Sequence, residues 1–128
     1  MFEINNTALT FDDVLIKPQY SEVPSRSLVD VSTNLGSSIS LRVPIISANM
    51  DSITEFDMAT AMSHAGGLGV IHRFMSVSDQ VKIIENFTWT NNSAYIGAAV
   101  GVKKDCIDRA KACYEAGAST LVLDVAHG

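Results

Sequence analysis

Cysteine is scarce in this chain of 128 residues, with only Cys106 and Cys113 present. The two stand in a segment of helical spacing, so two turns place them on one face, about 10.5 Å apart along the axis. A disulfide tolerates at most roughly 7 Å between Cα atoms, which excludes a bond between them and leaves both as small buried apolar residues. Clustered basic charge is also missing. The 9 Lys and Arg against 14 Asp and Glu give a net charge of −5. That balance speaks against a nucleic-acid or anionic-membrane partner. No apolar run approaches the ~20 residues of a membrane span. Met1-Phe2-Glu3-Ile4-Asn5 offers neither a basic n-region nor a hydrophobic h-region, so no secretory signal and a cytoplasmic location are expected. Long Gly, Ser, Pro or charged tracts are absent, which excludes disorder as the general state.

Several chemical motifs are lacking too. Gly66-Gly67-Leu68-Gly69 has the wrong spacing for a dinucleotide fingerprint and precedes a strand, and there is no P-loop. The three histidines, His64, His72 and His127, lack metal-ligand spacing, so no metal site is expected. Asp12 and Asp13 are neighbours in a segment read as extended, where they face opposite ways and serve as local hydrogen-bonding partners. No nucleophile with an adjacent base can be named, so the list of catalytic residues is empty.

What is present is a globular composition, 47% hydrophobic and 18% charged, sized for one domain. Residues 1–42 read as an irregular arm followed by a hairpin. Val29 to Thr33 alternates as a half-buried strand, Gly36-Ser37-Ser38 turns, and Ile39 to Arg42 returns. From Val43 the texture changes. Val43 to Ala48 is a nearly continuous apolar run, as in a strand covered on both faces. Thr54 to Asp57 resembles a capping box, and a helix follows through Met58, Ala61, Met62 and Ala65 to Gly66. Leu68 to Ile71 is a second strand. A helix beginning at Ser76 or Ser78 carries Val77, Val81 and Ile84 on one side. Tyr95 to Val100 is a third strand, and Lys104 to Ala116 a helix with the stripe Cys106, Ile107, Ala110, Cys113 and Tyr114. Thr120 to Asp124 is a fourth strand.

The order βαβαβαβ over residues 43–128 means an α/β fold with a parallel sheet, doubly wound or barrel-shaped. The chain stops just past a strand with no helix to cover it, so it is expected to be part of a larger domain. In such folds the working residues collect at the carboxyl ends of the strands. Those ends offer Asn49, Met50 and Asp51, then His72 and Arg73, then Gly101, then Asp124, His127 and Gly128. Polar residues at one end of apolar strands favour a site there.

Leu9-Thr10-Phe11-Asp12-Asp13-Val14-Leu15-Ile16-Lys17-Pro18 and Pro44-Ile45-Ile46-Ser47-Ala48-Asn49-Met50-Asp51 resemble the opening of the IMP dehydrogenase/GMP reductase family. Gly66-Gly67-Leu68-Gly69-Val70-Ile71-His72 and Leu123-Asp124-Val125-Ala126-His127-Gly128 continue the likeness in the same order. The resemblance implies the N-terminal half of a (β/α)₈ TIM barrel with an extended arm: residues 1–42 arm and hairpin, residues 43–128 four strands and three helices. It implies a purine nucleoside monophosphate (GMP or IMP), NADP or NAD as cofactor, the remaining half of the barrel as partner, and a homotetramer. By the same resemblance Ala48 and Met50 line the nucleotide's ribose and base. Asp124 matches the carboxylate that holds the nicotinamide-side ribose, where it would accept two hydroxyl bonds. Val125 and Ala126 adjoin the cofactor, and Arg73 lies on its side. The family's cysteine nucleophile belongs to a loop after the sixth strand, so neither Cys106 nor Cys113 matches it. Only Asn86 to Ala94 separates the second helix from the third strand, leaving no room for a CBS insert. Ser25-Arg26-Ser27 and His72-Arg73-Phe74 look more like GMP reductases, whereas Gly97-Ala98-Ala99-Val100-Gly101-Val102 looks more like IMP dehydrogenases. The expectation is a GMP reductase, which reductively deaminates GMP to IMP. The alternatives are an IMP dehydrogenase without CBS modules, which oxidises IMP to XMP, and a non-catalytic half-barrel binding module.

Overall fold

In the computed structural model, which describes residues 9–92 and 94–126, the chain divides into two units at Asp30. The readings made on Met1 to Asn5, His127 and Gly128 lie outside the described residues. In the first unit the expected extended course is interrupted by two single turns of 3-10 helix, Phe11–Asp13 and Arg26–Leu28. Asp12 and Asp13 therefore occupy a turn rather than an extended run. Asp13 Oδ2 accepts the Thr10 backbone N–H at 3.0 Å and the Thr10 hydroxyl at 2.9 Å, a local bond of the kind expected for this pair.

The second unit opens with an antiparallel hairpin, β1 (Thr33–Leu35) and β2 (Ile39–Leu41), in which Leu35 faces Ile39. The strand expected over Val29 to Thr33 lies further on. Gly36, at φ +62°, begins a three-residue loop, and the pairing counts back from it. Helix α1 (Phe56–Ala65) leads to β3 (Gly69–Ile71), α2 (Val77–Thr90) to β4 (Ile96–Val100), and α3 (Cys106–Glu115) to β5 (Thr120–Leu123). The three strands form one parallel sheet in the order β3-β4-β5, with Ile71 beside Ala98 and Val100 beside Leu123.

The first strand of the expected alternation is reduced to a single bridge. Pro44 has no N–H to give, and Ile45 N–H turns back to Val43 O at 2.8 Å. Only the flanks of Ile46 reach the sheet: Leu68 N–H donates to Ile45 O at 3.0 Å and Ser47 N–H to Leu68 O at 2.9 Å. The bridge is parallel, so the segment lies beside β3 and runs with it. Coverage on both faces is likewise not found here, since Ile45 and Ile46 are about half exposed. On β5 the pattern is one-sided as well. Thr120 and Val122 are partly covered while Leu121 and Leu123 are exposed, because successive side chains leave opposite faces.

That same alternation builds two cores. Ile71, Ile96 and Ala98 pack with Ala59, Ile84, Phe87 and Cys113 of the helices. Leu68, Val70 and Ala99 face the other way and pack against Ile39 and Leu41, so the hairpin shares a core with the sheet. Fully burying a side chain the size of Phe87 or Ile84 contributes roughly 1.5–3 kcal/mol. Gly69 lets α1 lie against the sheet, for a Cβ there would stand 2.5 Å from Ala59 Cα.

Two helix details differ from expectation. Thr54 is not the cap of α1; Glu55 holds that position without a side-chain cap bond, and Thr54 is fully buried beneath it. The inward face of α3 is Cys106, Arg109, Ala110 and Cys113, while Ile107 and Tyr114 of the expected stripe point outward and are exposed. Each nitrogen of the buried Arg109 guanidinium has a hydrogen-bond partner, which allows the helix this rotation. Both cysteines are free thiols.

Candidate functional site

Three successive strand ends converge on one ion pair. At the end of β3 the chain leaves the sheet as His72-Arg73-Phe74-Met75, and Ser76 then caps α2 by accepting the Asp79 N–H at 3.1 Å. His72 is buried, and its Nδ1 accepts the Phe74 N–H at 3.1 Å. Its proton therefore sits on Nε2, which donates to Glu55 Oε1 at 3.2 Å. His72 thus orients its own loop and is committed to structure on both nitrogens.

Arg73 crosses the sheet. Its Nε donates to Asp124 Oδ2 at 2.8 Å, and its guanidinium carbon lies 5.0 Å from the centroid of the Phe74 ring. Between the two partners lies Gly101, just past β4. A Cβ there would stand 3.4–3.5 Å from the Arg73 guanidinium, an ordinary contact distance, so the arginine lies close against the end of β4. Asp124 is placed by its own backbone, whose N–H donates to Val100 O at 2.8 Å and extends the β4–β5 ladder by one residue. The Arg73 and Asp124 side chains are each 29% exposed, so the pair is shielded yet reachable from solvent. One carboxylate oxygen holds the arginine. The other remains able to accept from the hydroxyls of a ligand.

Val125 and Ala126 follow Asp124, both exposed, and offer a ligand only backbone groups and packing. Ala48 and Met50 stand on the same end of the sheet, past the Ile46 bridge. Three inter-strand spacings put that edge roughly 14 Å from β5. Their loop is held by Thr54, whose Oγ1 donates to Ala48 O at 2.6 Å and lies 2.8 Å from Ser47 Oγ. Met50 O accepts the N–H groups of Ile53 and Thr54, so the Met50 backbone is fixed while its side chain is half exposed. Asn49 and Asp51 belong to the same turn. The structure therefore brings Arg73, Gly101 and Asp124 into one cluster and sets Ala48 and Met50 apart, on the same face.

An open groove of about 510 Å³ lies at the start of α1, lined by Asp51, Ile53, Glu55, Phe56 and Met58 among others. It adjoins the Met50 turn and does not include the ion pair. A second groove, about 330 Å³, is lined by Arg42, Gly66, Gly67 and Tyr95, near the amino ends of β3 and β4 and so away from the site. Among the described residues, no group of three His, Cys, Asp or Glu side chains could hold a metal ion. No helix among them is long and apolar enough to cross a membrane. Cys113 belongs to the core on the helix side of the sheet, where burial pushes its thiol pKa up against the opposing pull of Arg109.

Two functional-site neighbours escape a reading by hydrophobic period. Gln80 and Arg109 are polar residues at inward-facing positions of α2 and α3, where the periodic stripes assign only apolar neighbours. The signal was their place on the buried faces. Glu55 and Thr54, which hold His72 and the Ala48 loop, carried no signal beyond their position before a helix.

Residues 8–128 match the family model described as the IMP dehydrogenase / GMP reductase domain. The chain is 53% identical over 72 residues to inosine-5'-monophosphate dehydrogenase of Nitrosopumilus maritimus, covering 56% of this chain and 15% of that protein. It is 35% identical to inosine-5'-monophosphate dehydrogenase of Cryptosporidium parvum across 94% of this chain and 40% of that protein. It is 45% identical over 76 residues to GMP reductase of Leishmania donovani, covering 59% of this chain and 15% of that protein. The chain thus spans between 15% and 40% of the length of these curated relatives.

Proposed function

Because the chain belongs to the IMP dehydrogenase / GMP reductase family of purine-nucleotide oxidoreductases, we propose that it carries the strand-end half of a nucleotide and dinucleotide site. The observation that carries this reading is the Arg73–Asp124 pair at 2.8 Å, set across Gly101 at the carboxyl ends of β3, β4 and β5. Sequential order of the parallel strands, each beside the next in the chain, is what a (β/α)₈ barrel requires and supports that architecture for the whole. Exposed Leu121 and Leu123 on β5 supply an apolar face for the remaining half of the barrel.

The donor set fits the proposed ligands. A vicinal diol presents two O–H donors, and Asp124 keeps a carboxylate oxygen free of Arg73 to accept them. On this reading Asp124 binds the nicotinamide-side ribose of NADP or NAD, Val125 and Ala126 line its edge, and Arg73 fixes the carboxylate's orientation. Ala48 and Met50 line a purine nucleoside monophosphate, GMP or IMP, on a loop held by Thr54. When bound, the dinucleotide supplies or accepts the hydride at C2 of the purine. No residue among Arg73, Asp124, Ala48 and Met50 is a nucleophile, so this chain positions both ligands and the cysteine chemistry of the family falls to the rest of the protein. The assembly proposed is a cytoplasmic homotetramer, with residues 1–42 as arm and hairpin and 43–128 as half-barrel.

Between the two activities we favour GMP reductase, on the sequence of the His72-Arg73-Phe74 loop. The 53% identity to a dehydrogenase favours the other reading. Assaying the purified protein with GMP and NADPH, and separately with IMP and NAD, decides between them. Consumption of NADPH supports the reductase and formation of NADH the dehydrogenase. Turnover with neither pair by the complete protein, the rest of the barrel included, overturns the enzyme reading and leaves a binding module.

A further inference from the structure

Beneath the ion pair lies a buried polar relay that joins two helices to the strand ends. Gln80, on α2, is completely buried. Its Nε2 donates to Ala99 O at 3.0 Å and to Ile71 O at 3.3 Å. These are carbonyls where β3 leaves the sheet and the β3–β4 ladder runs out, so the side-chain amide stands in for a missing strand residue. The Gln80 Oε1 accepts from Arg109 Nη1 at 2.8 Å. Arg109, nearly buried on α3, donates through Nη2 to Met75 O at 3.1 Å and through Nε and Nη2 to Asp105 Oδ2 at 3.1 and 3.0 Å. No buried side-chain nitrogen or oxygen among the described residues lacks a partner.

The two anchored carbonyls decide what the relay does. Ile71 and Met75 are the residues on either side of His72-Arg73-Phe74, the loop that carries Arg73 to Asp124. One end is held by Gln80 and the other by Arg109, and the two holders are bonded to each other. Asp105 fixes Arg109 from the N-cap position of α3, and its carboxyl pKa is lowered first by the Arg109 bonds and also by the charge of Arg73.

We propose that Gln80 and Arg109 are positioning residues of the dinucleotide site: together they clamp both ends of the 72–75 loop and thereby set the Arg73–Asp124 pair. This rests on the reading of that pair as the cofactor's ribose holder. Neither residue touches a ligand. Each acts through Arg73, and packing alone does not explain an amide and a guanidinium buried at the centre of two helix faces.

The test uses Gln80→Met, which keeps volume and removes both donor and acceptor, in the complete purified protein. Hydrogen exchange followed by mass spectrometry reads the loop without any ligand. Amides of residues 72–75 should exchange at least about tenfold faster, while those of Ile96–Val100 in β4 keep their protection. Unchanged exchange over 72–75 overturns the clamp. Should β4 lose protection as well, Arg109→Lys carries the test, because lysine keeps the charge near Asp105 but cannot reach both Gln80 and Met75. The second arm is a double-mutant cycle on dinucleotide affinity. Gln80→Met alone should weaken it about tenfold, and less than about twofold in an Arg73→Ala background. Equal effects in both backgrounds overturn a role acting through Arg73. If Arg73→Ala binds the dinucleotide as the parent does, the cofactor reading of Arg73 fails, and the exchange arm still decides whether Gln80 and Arg109 fix the loop.

Discussion

Replacing Asp124 with asparagine separates the ion pair its carboxylate makes from the ribose contact proposed for it. Toward Arg73 it is one half of a partly exposed ion pair, each side chain 29% accessible. Pairs this open to solvent contribute up to about 1 kcal/mol, and the asparagine Oδ1 can still accept the Arg73 Nε–H. Folding stability should therefore fall by less than about 1 kcal/mol. Toward a ribose diol the change is harsher. With its oxygen kept by Arg73, asparagine turns an NH₂ donor toward two hydroxyl donors. One lost charge-assisted bond is worth about 1.5–3 kcal/mol, which is roughly 10- to 150-fold in Kd. Calorimetric titration with the dinucleotide measures that loss, thermal unfolding measures the stability, and titration with the purine monophosphate serves as the control that should not move. A dinucleotide Kd within about twofold of the parent, with the fold intact, would refute the assignment of Asp124. A stability loss beyond about 2 kcal/mol would instead refute the treatment of the pair as solvent-screened.

Other consequences follow from the packing and the titrating groups. Gly69→Ala puts a Cβ 2.5 Å from Ala59 Cα, so α1 must shift; a cost of about 1–3 kcal/mol is expected as a lower denaturant midpoint at unchanged slope. An unchanged midpoint would show that α1 is not packed so closely. Cys106 is partly exposed and Cys113 is buried with its thiol pushed up, so alkylation in native buffer should modify Cys106 first and reach Cys113 only on unfolding. Equal labelling rates contradict that placement. The Asp105 carboxyl is held below its ordinary value of 3.8 by Arg109, so its contribution is complete above that value and is lost as pH falls through the lowered one. Asp105→Asn should accordingly flatten the acid limb of the unfolding curve, and an identical limb in parent and variant removes Asp105 from the account.

The elements that the sequence announced most clearly are those closed by local chemistry. The C-terminal ends of α1 and α3 follow from Gly66 and Gly117, which take φ of +94° and +105° where another residue would be strained. Strand β4 follows from an apolar run buried at every position. The segment from Val43 to Ala48 has the same apolar texture and fails as a strand, because one missing N–H at Pro44 and one inturned N–H at Ile45 leave a single bridge. Apolar composition says that a segment is wanted inside; the ladder of N–H and C=O groups says whether it is a strand. The site divides the same way. Arg73 and Asp124 were legible as polar residues at strand ends, yet their meeting spans 51 positions and depends on the β4–β5 register. Gln80 and Arg109 were hidden by the rule that found the helices, since a hydrophobic period counts the apolar residues on a face and passes over a polar one among them. In this chain those exceptions mark where two helices grip the loop that carries the site. A polar residue at an inward position, on each of two helices that follow adjacent strands, is therefore the feature to seek before the apolar stripe is taken as the whole of the face.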